Sequence, residues 1–85
     1  MKEFSYTIKD ELGIHARPAG LLVKQAAKFA STIKIKNGDK EADAKRLLNV
    51  MSLAVKQGNT VIVTADGTDE DTAIAEIKKF FEENI

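Results

Sequence analysis

The chain alternates between apolar and polar residues in short stretches, which is typical of strands that bury one face. Three stretches show this alternation, with apolar residues at Phe4, Tyr6 and Ile8, at Ile33 and Ile35, and at Val61, Val63 and Ala65. After the second stretch, Asn37-Gly38 predicts a two-residue hairpin, because both residues tolerate positive φ. The hairpin returns in a short strand near Lys40–Ala44, whose charged residues suit an exposed sheet edge.

Two longer stretches carry apolar residues at helical spacing. The first, about Pro18–Ala30, opens on a proline, whose missing N–H would be unpaired at a first helical position. The second begins near Thr68, whose hydroxyl could cap the helix, with Asp71 three residues further on. The residues predicted to face the core are Ala19, Leu22, Ala26 and Phe29 in the first helix and Ile74, Ile77, Phe81 and Ile85 in the second.

Residues 46–56 predict a third, shorter helix with too many apolar positions for one buried face. At 100° per residue these positions cover an arc of about 220°, whereas packing on one side needs a stripe of only about 100°. Part of the helix should therefore form an exposed apolar patch among Leu47, Leu48, Met51 and Leu53. The alternative is that Leu47 or Met51 folds over a loop.

The element order is therefore β-α-β-β-α-β-α, without an internal repeat or linker. This order predicts an α+β open-faced sandwich, in which one sheet carries all the helices on a single face. A length of 85 residues fits one domain, residues 1–85, with one small core.

Composition narrows the classes of function. The chain has no cysteine and one histidine, which excludes a disulfide scaffold and cysteine catalysis and argues against a metal site. It has neither an apolar run long enough to span a membrane nor a signal peptide, so we expect a cytoplasmic protein without membrane insertion. The 13 basic and 13 acidic residues cancel, which argues against a nucleic-acid binder.

The balanced charge is unevenly distributed. Residues 12–56 hold nine basic and three acidic residues, whereas residues 66–85 hold two basic and seven acidic ones. Such segments can simply mix in space. Alternatively, they form a basic face for an anionic group or an acidic partner.

His15 is the one histidine, and it lies immediately before the first predicted helix. Helix N-termini bind anions, and their partial positive charge favours the neutral, nucleophilic imidazole. Arg17 can clamp phosphoryl oxygens, while Gly13 and Gly20 permit close approach of a backbone or a partner. This arrangement suits covalent phosphoryl transfer through His15. A solvated or capping histidine is the alternative, and no carboxylate follows closely enough to suggest a catalytic triad.

The stretch Gly13-Ile14-His15-Ala16-Arg17-Pro18-Ala19 resembles the active-site motif of the HPr family, the histidine-containing phosphocarriers of the bacterial phosphoenolpyruvate:sugar phosphotransferase system. The resemblance extends over essentially the whole chain. Further landmarks are Lys24, Phe29, Asn37-Gly38, Val50-Met51-Ser52-Leu53, Gln57-Gly58 and the start of the last helix at Asp66-Gly67 and Asp69-Glu70.

The resemblance implies that enzyme I, charged from phosphoenolpyruvate, phosphorylates His15 on Nδ1. The phosphoryl group would then pass to a sugar-specific enzyme IIA. Arg17 and the backbone N–H groups of Ala16 and Arg17 would stabilise it, without cofactor or metal and without independent turnover. The implied fold has sheet order 1-4-2-3 with three helices on one face, and a monomer is expected. The implied partner-docking residues are Gly20, Lys24, Leu47, Leu48, Met51, Ser52 and Lys56.

Arg46 departs from the family pattern, because it occupies the position of a serine that HPr kinase phosphorylates in some members. Arginine has no hydroxyl, so regulation by that kinase is not expected here. A cation in the first turn of a helix also opposes the helix dipole by about 0.3–1 kcal/mol. Gly20, Asn49 and Ala54 are further departures. Two alternatives stay open: a phosphocarrier of a parallel regulatory relay, and a non-catalytic docking module with the same fold.

Overall fold

The computed structural model describes residues 1–85 as four strands and three helices. In chain order these are β1 (Lys2–Thr7), α1 (Ala16–Ala26), β2 (Thr32–Asn37), β3 (Lys40–Asp43), α2 (Leu47–Ser52), β4 (Thr60–Asp66) and α3 (Glu70–Asn84). The strands form one antiparallel sheet in the order β1-β4-β2-β3. The element order and the open-faced architecture predicted from the sequence pattern are confirmed, and so is the sheet order that the family resemblance implies.

The alternation within the strands puts one face of the sheet in the core. Val63 of β4 pairs with Phe4 of β1 on one side and with Ile35 of β2 on the other. Val63 and Ile35 are fully buried, whereas the intervening residues Lys34 and Ile62 are exposed. The second face of the sheet is therefore open to solvent.

Helix α3 packs on the sheet over β1 and β4, and Phe81 is its main aromatic contact there. The Phe81 ring is fully buried and makes edge-to-face contacts with Phe4 at 5.7 Å and Tyr6 at 5.5 Å between ring centroids. Burial of one such ring contributes roughly 1.5–3 kcal/mol. Helices α1 and α2 pack on each other, and Leu22 and Val50 extend the core beneath them.

Helix α1 begins at Ala16 and ends at Ala26, so its predicted bounds were wrong at both ends. Pro18 is the third helical residue rather than the first. A proline is tolerated there because the N–H groups of the first turn have no intrahelical acceptor. Beyond the helix, Phe29 donates its N–H to the carbonyl of Ala26 in a turn and is only partly buried.

Helix α3 begins at Glu70, and the prediction that Thr68 caps it was wrong. Thr68 lies in the preceding turn and is exposed, whereas Asp69 occupies the N-cap position. The Glu70 carboxylate reaches back to accept the N–H of Gly67 at 3.2 Å. This bond closes the turn before the helix, and no side chain caps the N–H groups of the first turn of α3.

The Asp69 carboxylate is directed across to the start of β2 instead of into its own helix. It accepts the N–H groups of Ala30 and Ser31, at 2.8 and 2.9 Å, and the Ser31 hydroxyl. The Ser31 hydroxyl and the Ala30 N–H together lower the pKa of Asp69 below its usual value. This carboxylate therefore ties α3 to the sheet.

Helix α2 spans only Leu47–Ser52, because the chain leaves helical geometry after Leu53 and Ala54 adopts a φ of 51°. Leu53 still has helical backbone angles, lies three residues after the buried Val50 and is 2% exposed, so of the four residues among which the patch was expected it is the one that belongs to the core. The exposure of the other three patch residues is confirmed: they are Leu47, Leu48 and Met51, at 40%, 80% and 40%.

None of the three helices combines the length and the apolar character needed to cross a membrane.

Candidate functional site

The loop between β1 and α1 is fixed by backbone hydrogen bonds to distant segments. Asp10 donates its N–H to the carbonyl of Ile85 at 2.8 Å, and Ile14 donates to the carbonyl of Val55 at 3.3 Å. Gly13 lies between them with a φ of +65°, and a Cβ at this position would lie 2.1 Å from the Val55 oxygen. Only glycine fits this close approach, so Gly13 sets the path of the chain into His15.

His15 is the N-cap residue of α1. Its carbonyl accepts the N–H of Ala19 at 3.0 Å, while its imidazole makes no capping hydrogen bond and is about one-third exposed, at 36%. The N–H groups of Ala16 and Arg17 have no acceptor within the chain. The start of α1 thus presents an imidazole beside two unpaired backbone donors.

A shallow cleft of about 270 Å³ surrounds the imidazole. Its lining residues are Asp10, His15, Arg17, Pro18, Leu21 and Asn84. Arg17 is exposed and forms no ion pair, and the first turn of α1 contains no acidic residue. The positive charge of the helix start and of the guanidinium is therefore available to an anion in this cleft.

Asp10 is a site residue that sequence reasoning missed. Its Oδ2 atom lies 3.9 Å from Nε2 of His15. The triad argument from the sequence concerns carboxylates that follow the histidine, whereas Asp10 precedes it by five residues. The turn at Gly13 returns the chain so that the two side chains meet. The sequence signal for this contact was Gly13, which lies between Asp10 and His15 and allows the chain to turn.

Leu21 was also missed, and it lies in the cleft with 43% exposure. Sequence reasoning assigned only the opposite stripe of α1, which includes Leu22, and drew nothing from Leu21. Helix α1 therefore adds an exposed apolar residue beside the histidine to those that α2 exposes.

The predicted partner-docking residues lie on α1, on α2 and just after α2, and we refer to them together as the α1–α2 surface: Gly20, Lys24, Leu47, Leu48, Met51, Ser52 and Lys56. Gly20 is half-buried, and a Cβ there would meet nothing within 4 Å. Lys24 and Lys56 are exposed, and Ser52 donates its hydroxyl to the carbonyl of Asn49 at 2.6 Å. The surface combines apolar side chains with cations.

Arg46 is the N-cap residue of α2 and makes no capping hydrogen bond. Its Nε atom lies 3.9 Å from Oδ2 of Asp43, and its side chain is 75% exposed. The guanidinium therefore adds a largely solvated cation next to Leu47. No group of three His, Cys, Asp or Glu side chains is arranged to hold a metal ion.

Comparisons with known proteins converge on one family. The family model described as "PTS HPr component phosphorylation site" matches residues 2–83. The chain is 46% identical over 79 residues to the phosphocarrier protein HPr of Mycoplasma capricolum, covering 93% of this chain and 89% of that protein. It is 42% identical over 85 residues to HPr of Mycoplasma genitalium, covering 99% and 97%.

Solved structures agree with this result. A Mycoplasma histidine-containing phosphocarrier protein matches with a TM-score of 0.94 at 43% identity, covering 96% of this chain and 93% of that one. An HPr dimer from Thermoanaerobacter tengcongensis matches with a TM-score of 0.78 at 43% identity, covering 98% and 95%.

Proposed function

Because the chain belongs to the HPr family of phosphocarrier proteins of the phosphotransferase system, we propose that His15 is the residue that carries the phosphoryl group. Phospho-enzyme I, itself charged from phosphoenolpyruvate, donates the group to Nδ1 of His15. A sugar-specific enzyme IIA then receives it for sugar uptake. The protein acts as an intermediate and turns over no substrate of its own.

The observation that carries this proposal is the composition of the start of α1. The imidazole of His15 and the free guanidinium of Arg17 line one cleft, and the unpaired N–H groups of Ala16 and Arg17 follow the histidine at the start of the helix. A nucleophile, two backbone donors and a cation at one helix start match the needs of an incoming phosphoryl group.

Each residue has a defined part in the transfer. The lone pair on Nδ1 forms the new N–P bond, while the bond from phosphorus to the donor breaks and its electron pair leaves with the donor. Arg17 and the N–H groups of Ala16 and Arg17 hold the phosphoryl oxygens. The same steps run in reverse order when the group leaves for the acceptor.

The α1–α2 surface is the proposed docking site for both partners. Leu48 and Met51 supply exposed apolar area, at 80% and 40% exposure, and Lys24 and Lys56 supply charge for an acidic partner. Long-range attraction of this kind speeds association and weakens as salt screens it.

Incubation with enzyme I and phosphoenolpyruvate tests the assignment of His15. We expect one phosphate per chain, labile in acid and stable in base, and none in His15→Ala. A heteronuclear NMR spectrum of the variant checks that the fold is intact. No incorporation into the wild-type chain would overturn the phosphocarrier proposal and favour the non-catalytic docking module.

Transfer from the phosphorylated chain to enzyme IIA tests the docking surface. We expect Leu48→Ser to raise the KM for the carrier about three- to tenfold, since it removes central apolar area. Ile62→Ser is the matched control, because Ile62 is an exposed apolar residue on the open face of the sheet. Equal effects of the two substitutions would contradict the proposed location.

HPr kinase with ATP tests position 46. We propose that it adds no phosphate to the wild-type chain there, since Arg46 offers no hydroxyl, and that Arg46→Ser creates an acceptor. Mass spectrometry locates the phosphate. Kinase-dependent phosphate on the unmodified chain would show that another residue has taken over the role.

A further inference from the structure

Asp10 faces the reacting histidine although it lies outside the recognised motif. Its two carboxylate oxygens have different partners: Oδ1 accepts the N–H of Leu12 at 2.8 Å, and Oδ2 lies 3.9 Å from Nε2 of His15. Its backbone N–H is held by the carbonyl of Ile85, and its carbonyl accepts the N–H of Gly13 at 2.9 Å. The carboxylate is thus fixed on both sides and directed at one particular nitrogen of the imidazole.

A neutral imidazole carries its proton on either nitrogen, and only the nitrogen without the proton is nucleophilic. A carboxylate beside Nε2 attracts a proton to Nε2, which leaves the lone pair on Nδ1. No hydrogen bond in the chain involves either ring nitrogen, and Asp10 supplies the one carboxylate within 4.0 Å of the ring nitrogens.

We propose that Asp10 is a positioning residue that selects the Nε2–H tautomer of His15 and stabilises the positive charge that the ring gains as Nδ1 attacks phosphorus. This role rests on the proposed phosphocarrier function for its kinetic consequence. The tautomer preference itself is a property of the isolated chain. When Nδ1 bonds to phosphorus, the ring becomes cationic with its proton on Nε2, and the Asp10 carboxylate lies beside that charge.

Two substitutions separate this role from a structural one. Asp10→Asn keeps a side-chain oxygen for the Leu12 N–H, so the turn survives, but it directs an NH₂ group at Nε2. Such a donor favours an unprotonated Nε2 and places the proton on Nδ1. Asp10→Ala removes both the turn acceptor and the bias. If Asp10 acts through the tautomer, phosphorylation should be slower in Asp10→Asn than in Asp10→Ala. If it acts only through the turn, phosphorylation should be slower in Asp10→Ala.

The first measurement is the tautomer ratio, from the two ring ¹⁵N shifts of His15 at a pH where the imidazole is neutral. We expect the Nε2–H fraction to fall from wild type to Asp10→Ala and further to Asp10→Asn. Asp43→Asn is the matched control, because Asp43 Oδ1 accepts the N–H of Lys45 at 2.9 Å in the same kind of turn. An unchanged ratio in Asp10→Asn overturns the inference, whatever the phosphorylation assay shows.

The second measurement is the rate of phosphorylation by enzyme I and phosphoenolpyruvate. We expect Asp10→Ala to reduce it about two- to fivefold, as suits a partly exposed charge pair, and Asp10→Asn to reduce it more. Equal rates in wild type and both variants would remove the kinetic role. Absence of phosphorylation in the wild-type chain would instead defeat the phosphocarrier proposal, so the two failures are distinguishable.

Discussion

The N-termini of α1 and α3 carry the same partial positive charge, but the sequence treats them in opposite ways. At α3, Glu70 and Asp71 place acids in the first turn, and Asp69 precedes them. At α1 the first turn has no acid, and the N–H groups of Ala16 and Arg17 are unpaired. Only α1 has a histidine at its N-cap position.

The difference separates a helix start that serves the fold from one that we propose for phosphoryl transfer. Acids near a helix N-terminus stabilise it by about 0.3–1 kcal/mol each, and α3 uses them while joining itself to β2. Helix α1 forgoes that stabilisation, so its donors and positive charge remain available to an anion. Substitutions at the N-terminus of α1 and at the N-terminus of α3 test this contrast.

Among these substitutions, loss of the Arg17 guanidinium should reduce the phosphorylation rate most. We expect Arg17→Ala to slow phosphorylation about 10- to 100-fold, because charge-assisted bonds to the phosphoryl oxygens disappear. Stability should change by no more than about 0.5 kcal/mol, since the side chain is exposed. Rapid-quench phosphorylation kinetics and urea unfolding give the two quantities.

The control for that experiment is Lys28→Ala, which removes an exposed cation from the turn after α1 and should leave the rate within about twofold. A comparable loss in both variants would indicate a general charge effect rather than a clamp on the phosphoryl group.

Removal of the Asp69 charge should damage the structural end while sparing phosphoryl transfer. We expect Asp69→Asn to lower the Tm, because an amide cannot accept the hydrogen bonds of Ala30, Ser31 and the Ser31 hydroxyl together. The phosphorylation rate should stay at the wild-type value. Thermal unfolding and the enzyme I assay measure the two effects.

The pH dependence gives a sharper form of the same prediction. The pKa of Asp69 is lowered in the folded chain, so its contribution is complete above the ordinary carboxyl pKa of about 3.9. It is lost as pH falls through that value towards the folded pKa. Asp69→Asn should lack this part of the acid dependence. If the free energy of unfolding falls with decreasing pH by the same amount in wild type and in Asp69→Asn, this prediction is contradicted.

Addition of an acid to α1 should have the smallest effect and should make its start resemble that of α3. We expect Ala16→Glu to stabilise the fold by about 0.3–1 kcal/mol and to slow phosphorylation about two- to fivefold by repelling the phosphoryl group. Both effects should shrink in high salt. Ala75→Glu adds the same charge to an exposed position within α3 and should change the rate little.

The strands were accessible from the sequence, and so was the histidine that we propose to react, because their signals are local. Alternation at Ile33 and Ile35 and the glycine at position 38 fix conformation through nearest neighbours. The motif around His15 is contiguous, so its nucleophile, its guanidinium and its helix start appear together in one stretch.

Helix ends were less accessible, because competing hydrogen-bond partners decide them. Thr68 had the right chemistry for a cap, but the helix begins later: Asp69 occupies the N-cap position and directs its carboxylate to Ser31. Leu53 was one of four candidates for the exposed patch, but it lies three residues after Val50 in helical geometry and shares its burial in the core.

The sequence by itself determined the order of elements, the one histidine and the cations beside it, and the charge contrast between the two helix starts. Only the tertiary structure decided that Asp10 meets His15, because that contact depends on hydrogen bonds from the loop to Val55 and Ile85. Those anchors are 40 and more residues away along the chain. A pattern confined to neighbouring residues carries no information about such partners.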